Sequence, residues 1–177
     1  MYFLGKCDRM DTLRQIGDMC MNLIAAADEN WAIGKDGGLL AHLPGDMKFF
    51  RETTKEKVVV MGRKTLESFP GKKPLKNRVN IVLTRNTEYA PEGVTLCGSV
   101  EKALELLKQY DSEDVFIIGG GTVYRAFLPY CKKAYITHIF HTFPADTVFP
   151  DLDREPGWKQ TKVLGTGEDN GIRYEFR

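Results

Sequence analysis

A chain of 177 residues that is 42% hydrophobic and 28% charged has the composition of an ordinary globular protein with one substantial core. Its 25 basic and 24 acidic residues leave a formal charge of +1, so no global field draws it to nucleic acid or an anionic membrane, and a small-molecule ligand is the better expectation. Cys7, Cys20, Cys97 and Cys131 are widely spaced, with no CxxC pair and no His cluster, which speaks against a zinc site or a disulfide framework and for reduced thiols in the cytoplasm.

The first residues, MYFLGKCDRMDTLRQIGDMC, hold only a short apolar run. A signal peptide needs about 7 to 15 such residues and a membrane span about 20, so neither is expected. Residues 1–20 read as an extension of unknown role outside a single domain at 21–177. Leu13, Ile16 and Cys20 are spaced to line one side of a short helix, and an unstructured leader or a start codon placed too early fits the stretch equally well. From Met21 the text changes: NLIAAA (22–27) reads as a strand, and the polar, Gly-rich DENWAIGKDGG (28–38) as a loop.

Pro44 suits the first turn of a helix, where its missing N–H has no intrahelical partner, and the spacing of Met47 and Phe50 extends that helix over 44–54. VVVM (58–61) is a β-branched strand that enters a short helix at 62–69 through Gly62. VNIVLT (79–84) and VTLCG (94–98) are strands, and Ser99 caps a helix over 99–110 with Val100, Ala103, Leu104 and Leu107 on one face. VFIIGGGTVYRAFLPY (115–130) repeats the order strand, glycine turn, helix. Strands without polar alternation, separated by helices, predict a parallel sheet covered on both faces. The end differs: AYITHIFH (134–141), WKQTKVLG (158–165) and IRYEFR (172–177) follow one another without helices, with Asn170-Gly171 as a hairpin signal, so an antiparallel finish is expected. Loops at 70–78 and 142–157 hold most of the prolines, and there is no internal repeat.

Several residues at the strand ends carry chemistry. Asp46 stands in the first turn of its helix with Phe49 and Phe50 beside it. It either complements the helix dipole or holds a flat, nitrogen-rich ring, and dipole and burial push its acidity in opposite directions. Gly119-Gly120-Gly121 leads bare backbone N–H groups to a helix start, which favours a phosphate but is not a G-x-G-x-x-G fingerprint. Gly62-Arg63-Lys64-Thr65 and Thr84-Arg85 add cations and hydroxyls where open α/β sheets bind ligands. Their recurrence at strand ends points to a ligand with several phosphates. Arg78 is either solvated surface or a bidentate clamp on a carboxylate. His42, His138 and His141 form neither an HxxxH pair nor a hydrolytic triad, and no metal site is expected.

Taken together, NLIAAADENWAIGKDGGLLAHLPGDMKFF, VVVMGRKTLESF, NRVNIVLTR, VFIIGGGTVY, AYITHI and DTVFPD resemble dihydrofolate reductase, in order from about residue 22 to 177. The resemblance implies an α/β fold: a mostly parallel eight-stranded twisted sheet with an antiparallel C-terminal edge, about four flanking helices, and an adenosine-binding part at roughly 57–109. It implies hydride transfer from NADPH to C6 of 7,8-dihydrofolate and protonation of N5, and with it a part in one-carbon metabolism; a cytoplasmic location is expected from the thiols, and a monomer is the default expectation. By the same resemblance Asp46, supported by Thr137, binds the pterin, Phe50 stacks near it, Arg78 holds the glutamate α-carboxylate, and Ala26 and Ile118 border the pocket. NADPH would meet Ala26, Ile33, Gly62, Arg63, Lys64, Thr65, Thr84, Arg85, Gly120, Gly121, Thr122 and Tyr124, and Gly119-Gly120 resembles the family's cis peptide. Leu40-Ala41 departs from the Pro-Trp of many members, which removes an indole N–H beside Asp46 and leaves the proton route open. Two other readings stand beside this one: a related reductase of another pterin or of a ribosylated pyrimidine, and a folate-binding protein without turnover.

Overall fold

The structure, a computed structural model, describes residues 1–4, 19–86, 88–89 and 91–177. Among these the chain runs β1 (Tyr2–Leu4), β2 (Met21–Ala27), β3 (Ala32–Gly34), α1 (Pro44–Thr54), β4 (Val58–Gly62), α2 (Arg63–Glu67), β5 (Val79–Leu83), β6 (Thr95–Cys97), α3 (Val100–Leu107), β7 (Val115–Gly119), α4 (Gly121–Phe127), β8 (Cys131–Ile139), β9 (Thr147–Val148), β10 (Trp158–Gln160), β11 (Gly165–Asp169) and β12 (Ile172–Phe176). Local chemistry accounts for the boundaries. α1 opens on Pro44, and α3 opens behind Ser99, whose hydroxyl accepts the Lys102 N–H at 3.2 Å. Asn170 and Gly171 both take positive φ, 52° and 75°, as a two-residue hairpin turn between β11 and β12 demands.

The main sheet has the order β10-β1-β8-β2-β7-β4-β5-β6, with β12 also on β8 and β11 on β12. From β8 to β6 every pairing is parallel, while β1, β10, β11 and β12 run antiparallel to their neighbours. Successive residues of the central strands serve two cores. Val58, Val60, Val115 and Ile117 join Ala103, Leu104 and Leu107 of α3 and Val123 and Phe127 of α4 on one side. Val59, Met61, Phe116 and Ile118 face Phe49 and Phe50 of α1 and Leu66 of α2 on the other. Burial on both faces is why these strands read as unbroken apolar runs.

Three expectations change. The sheet has ten strands among the described residues rather than eight, because β1 joins it and because the stretch expected as one strand at 158–165 switches partners partway. β10 pairs with β1, whereas Leu164 already donates to the Phe176 carbonyl and β11 follows β12. The long strand β8 starts at Cys131, three residues before the apolar text, since Cys131 and Lys133 pair with Met21 and Asn22. It stops at Ile139, where His141 N–H turns back to the Ile139 carbonyl.

The third change concerns residues 1–20. Tyr2 and Phe3 lie opposite Ala134 and Lys133 of β8, just past the point where Arg177 and Ile136 exchange backbone hydrogen bonds. Tyr2 is 0% exposed, meets the edge of Trp31 at 5.8 Å and donates its hydroxyl to Asp153. Residues 2–4 are thus part of the sheet, drawn in by unpaired strand edges and by the area a tyrosine ring buries. Leu13 and Ile16, expected on one face of a short helix, lie outside the described residues.

Candidate active site

β2 and β7 are paired only at Asn22–Phe116 and Leu23–Ile117. Past these pairs the chain leaves β2 through α1 towards β4, and leaves β7 through α4 towards β8, so the connections diverge on opposite sides. A crevice opens at the carboxyl ends of adjacent strands whose connections part in this way. Ala26 lies on one bank of it and Ile118 and Gly119 on the other.

α1 aims Asp46 into this crevice. The Thr137 hydroxyl on β8 donates to Asp46 Oδ1 at 2.6 Å, and Thr137 itself pairs with Ala26 in the sheet. Burial pushes the Asp46 carboxyl above the ordinary aspartate value, the Thr137 hydrogen bond pulls it back, and the charge of Asp169 raises it further. Burial is the largest of these influences. Around the carboxylate the pocket is lined by Ala26, Ile33, Leu39, Leu40, Ala41 and Ile139, an apolar set with one ionisable group. Of the two aromatic residues next to Asp46, Phe50 packs towards the core cluster that includes Ile118, while Phe49 also stacks on Phe176 with centroids 4.2 Å apart.

Arg78 lies at the far end of α1. Its Nε donates to Thr54 Oγ1 at 2.9 Å, Nη2 to the Arg51 carbonyl at 3.0 Å and Nη1 to the Lys76 carbonyl at 2.7 Å. The guanidinium is held by neutral acceptors and has no carboxylate partner among the described residues.

On the other bank the Gly119-Gly120 bond is cis, and Gly119 has φ 135°. A Cβ on Gly119 would stand 3.3 Å from Thr65 Oγ1, and one on Gly121 3.0 Å from the Val148 carbonyl, so the glycine run leaves its backbone bare and closely flanked. Tyr124 is buried and donates to the Ile24 carbonyl at 2.7 Å, and burial raises its pKa so that it stays protonated. Further out, Arg63 pairs with Glu67 at 2.8 Å and lies over the Tyr89 ring. Thr84 Oγ1 accepts the Asn86 N–H, Ile33 faces the pocket from β3, and Lys64, Arg85 and Thr122 are exposed.

Sequence reasoning passed over four residues here. Asp28, 1% exposed, accepts the N–H groups of Asn30 and Ala32 on Oδ1 and that of Phe143 on Oδ2, tying the loop after β2 to the segment after β8. Its signal was an acid directly after an apolar strand, a turn-forming position. Asp169 and Tyr174 sit at the start of α1, and Ile139 closes the pocket floor. No helix among the described residues is long and apolar enough to cross a membrane.

Comparison with known proteins bears on the class. A family model described as dihydrofolate reductase matches residues 20–177. The dihydrofolate reductase of Drosophila melanogaster is 39% identical over 172 residues, covering 88% of this chain and 94% of that protein. That of Bacillus subtilis (strain 168) is 39% identical over 158 residues, covering 88% and 91%. A solved dihydrofolate reductase from Enterococcus faecalis, complexed with NADP(H) and RAB-propyl, superimposes with a TM-score of 0.77 at 38% identity, over 90% of this chain and 95% of that one. Fold, crevice and relatives together define an NADPH-dependent oxidoreductase. The chain belongs to the dihydrofolate reductase family.

Proposed function

We propose that this chain reduces 7,8-dihydrofolate to tetrahydrofolate with Asp46 as the anchor of the pterin ring. The observation that carries the reading is a single carboxylate, steadied by Thr137, in an otherwise apolar pocket at the crevice between β2 and β7. Such a group selects a flat ring that presents N–H donors on one edge, because two charge-assisted hydrogen bonds in low dielectric outweigh the cost of desolvating it. Ala26 and Ile118 border the ring, and Phe50 packs along its tail. Arg78 has three donors already engaged by Thr54, Arg51 and Lys76, so its guanidinium is oriented in advance for the carboxylate of that tail.

The residues present fit NADPH. The bare backbone at Gly119, Gly120 and Gly121, where a Cβ on Gly119 or Gly121 would crowd Thr65 or the Val148 carbonyl, suits the close approach of a diphosphate with Thr122 and Thr65 alongside. Gly62, Lys64, Arg63, Thr84 and Arg85 lie at the carboxyl ends of β4 and β5, where cations and hydroxyls suit an adenosine carrying a third phosphate, within the part at roughly 57–109. Ile33, which lines the pocket, and Tyr124, whose hydroxyl is tied to the Ile24 carbonyl, would stand beside the nicotinamide. When bound, NADPH supplies the hydride that adds to C6 of the pterin. The chain's own work is to hold that ring, shield it with the Leu40 and Ile139 side chains, and keep near it a carboxyl whose acidity burial weakens. Asp46 is the anchor first and a member of the proton path second, since Ala41 has no side-chain N–H with which to hold a connecting water. The unbridged, buried thiols of Cys97 and Cys131 support a cytoplasmic location, and the reading takes the protein as a monomer that acts on small molecules alone.

Mixing the protein with NADPH and dihydrofolate tests this. Loss of the reduced nicotinamide absorbance with formation of tetrahydrofolate is the expected result. Tight binding of both without oxidation would replace the reading with that of a binding protein.

A further inference from the structure

α1 carries the pocket's carboxylate, yet its own N-terminus is poorly equipped to be held in place. The N-cap residue, Leu43, offers no side-chain acceptor, and the first helical residue is Pro44. The partner for the next N–H, that of Gly45, comes from elsewhere in the chain: it donates to Asp169 Oδ2 at 2.8 Å. The same oxygen accepts the Tyr174 hydroxyl at 2.7 Å. Asp169 ends β11 and Tyr174 lies buried on β12, so one carboxylate joins the C-terminal hairpin to the first turn of the helix. The fit admits glycine alone at 45, because a Cβ there would stand 1.9 Å from Tyr174 Oη and 3.1 Å from Asp169 Oδ2. β12 also lies against β8 with Phe176 opposite Thr137, so the strand that carries Tyr174 neighbours the hydroxyl that contacts Asp46.

We infer that Asp169 is a positioning residue for the reaction, capping α1 from outside the helix and, through Tyr174, fixing its first turn beside Thr137. The inference rests on the reading of Asp46 as the substrate anchor. The charge state of Asp169 suits this role, since its hydrogen bonds from Tyr174 and Gly45, with the nearby His42, hold its carboxyl below the ordinary aspartate range and keep it an anion. Tyr174 is pushed up to about 12 by burial and by Asp169, so it stays a donor. Asp46 in turn is faced by Thr137 from β8, Asp169 from β11, Tyr174 from β12 and Tyr124 from α4. Among these, Asp169 is the group whose negative charge helps Asp46 keep its proton.

Three variants of the whole protein separate positioning from mere stability. D169N keeps an acceptor for Gly45 and Tyr174 and removes the charge, D169A removes both, and Y174F removes one donor and keeps the ring. The pH profile of kcat/KM for dihydrofolate should move to lower pH in D169N and D169A. In D169A the plateau should also fall about tenfold, the size of one charged hydrogen bond, with KM for NADPH unchanged. Y174F should lower the plateau by a smaller factor and leave the profile nearly in place. Profiles in D169N and D169A that superimpose on the wild type would overturn the inference, as would equal losses for both substrates in variants that melt earlier. D46N, run alongside, keeps the two claims apart. A fully active D46N sinks the anchor reading itself, whereas a slow D46N with wild-type D169N and D169A sinks only the role of Asp169.

Discussion

Thr137 Oγ1 stands 2.6 Å from Asp46 Oδ1, a contact between residues 91 positions apart that joins the strand at the sheet's turning point to the helix above the pocket. Thr137 is 1% exposed and Asp46 lies in an apolar pocket, so this bond forms out of bulk water, and its length is that of a charge-assisted one. Thr137→Val keeps the shape and removes the donor. It should raise KM for dihydrofolate about tenfold and move the pH profile of turnover upward, since the lost hydrogen bond had favoured the carboxylate. A downward or absent shift, measured by steady-state rates across pH, would contradict the geometry.

Asp46 also imposes a pH-dependent cost on the fold. Its folded pKa lies above the ordinary value of 3.8, so the folded state binds the proton more tightly than the unfolded chain. Stability from this group is fully present below 3.8 and is lost as pH rises through the folded value. Asp46→Asn removes the loss and keeps an acceptor for Thr137. Thermal melting should show the variant more stable than wild type at neutral pH, with the gap closing in acid. A gap that widens as pH falls would mean that the carboxylate is stabilised, not strained, by its pocket.

How much of the fold and site is legible in the sequence varies with the physical range of each cause. α1 is readable to its end residues, because Pro44 and the spacing of Met47 and Phe50 are local signals. β4 and β7 are readable because burial on both faces leaves no polar residue in them. The start of β8 is hidden by Lys132 and Lys133, since Lys133 belongs to a strand only through its pairing with Asn22 of β2 and its contact with Glu113. β1, and the break between β10 and β11, depend on which strand edge is vacant, a property of the whole sheet. Asp46, Arg78 and the glycine run stand out as residue types at strand ends, and their roles come from the family resemblance. Asp169 and Tyr174 do not stand out, since a carboxylate after a hairpin strand gives no hint of a helix start 124 positions earlier.

Arg63 pairs with Glu67 one helical turn on, at 2.8 Å, on the rim where the adenosine end is proposed to lie. A partly exposed pair of this kind is worth about 0.3–0.5 kcal/mol and would compete with an incoming phosphate. Glu67→Gln should therefore lower KM for NADPH about twofold while leaving NADH, which lacks the third phosphate, unchanged. Equal effects on the two cofactors would move the 2′-phosphate away from Arg63.

Ala41 lines the pocket where, by the family resemblance, many members place an indole. Hydride transfer depends chiefly on alignment of the two rings, so stopped-flow rates for Ala41→Trp should stay within about threefold of wild type. A gain of orders of magnitude would show that a water held by the missing N–H limits the reaction.

The central claim is that the buried carboxylate of Asp46 holds the pterin and helps keep a proton near it. The most direct measurement is the pH dependence of hydride transfer in wild type and Asp46→Asn, followed by nicotinamide absorbance at saturating NADPH. The account predicts a variant that binds NADPH normally, binds dihydrofolate weakly, and falls furthest behind wild type at neutral and higher pH, where protons are scarce. Superimposable profiles with unchanged affinity for dihydrofolate would contradict it.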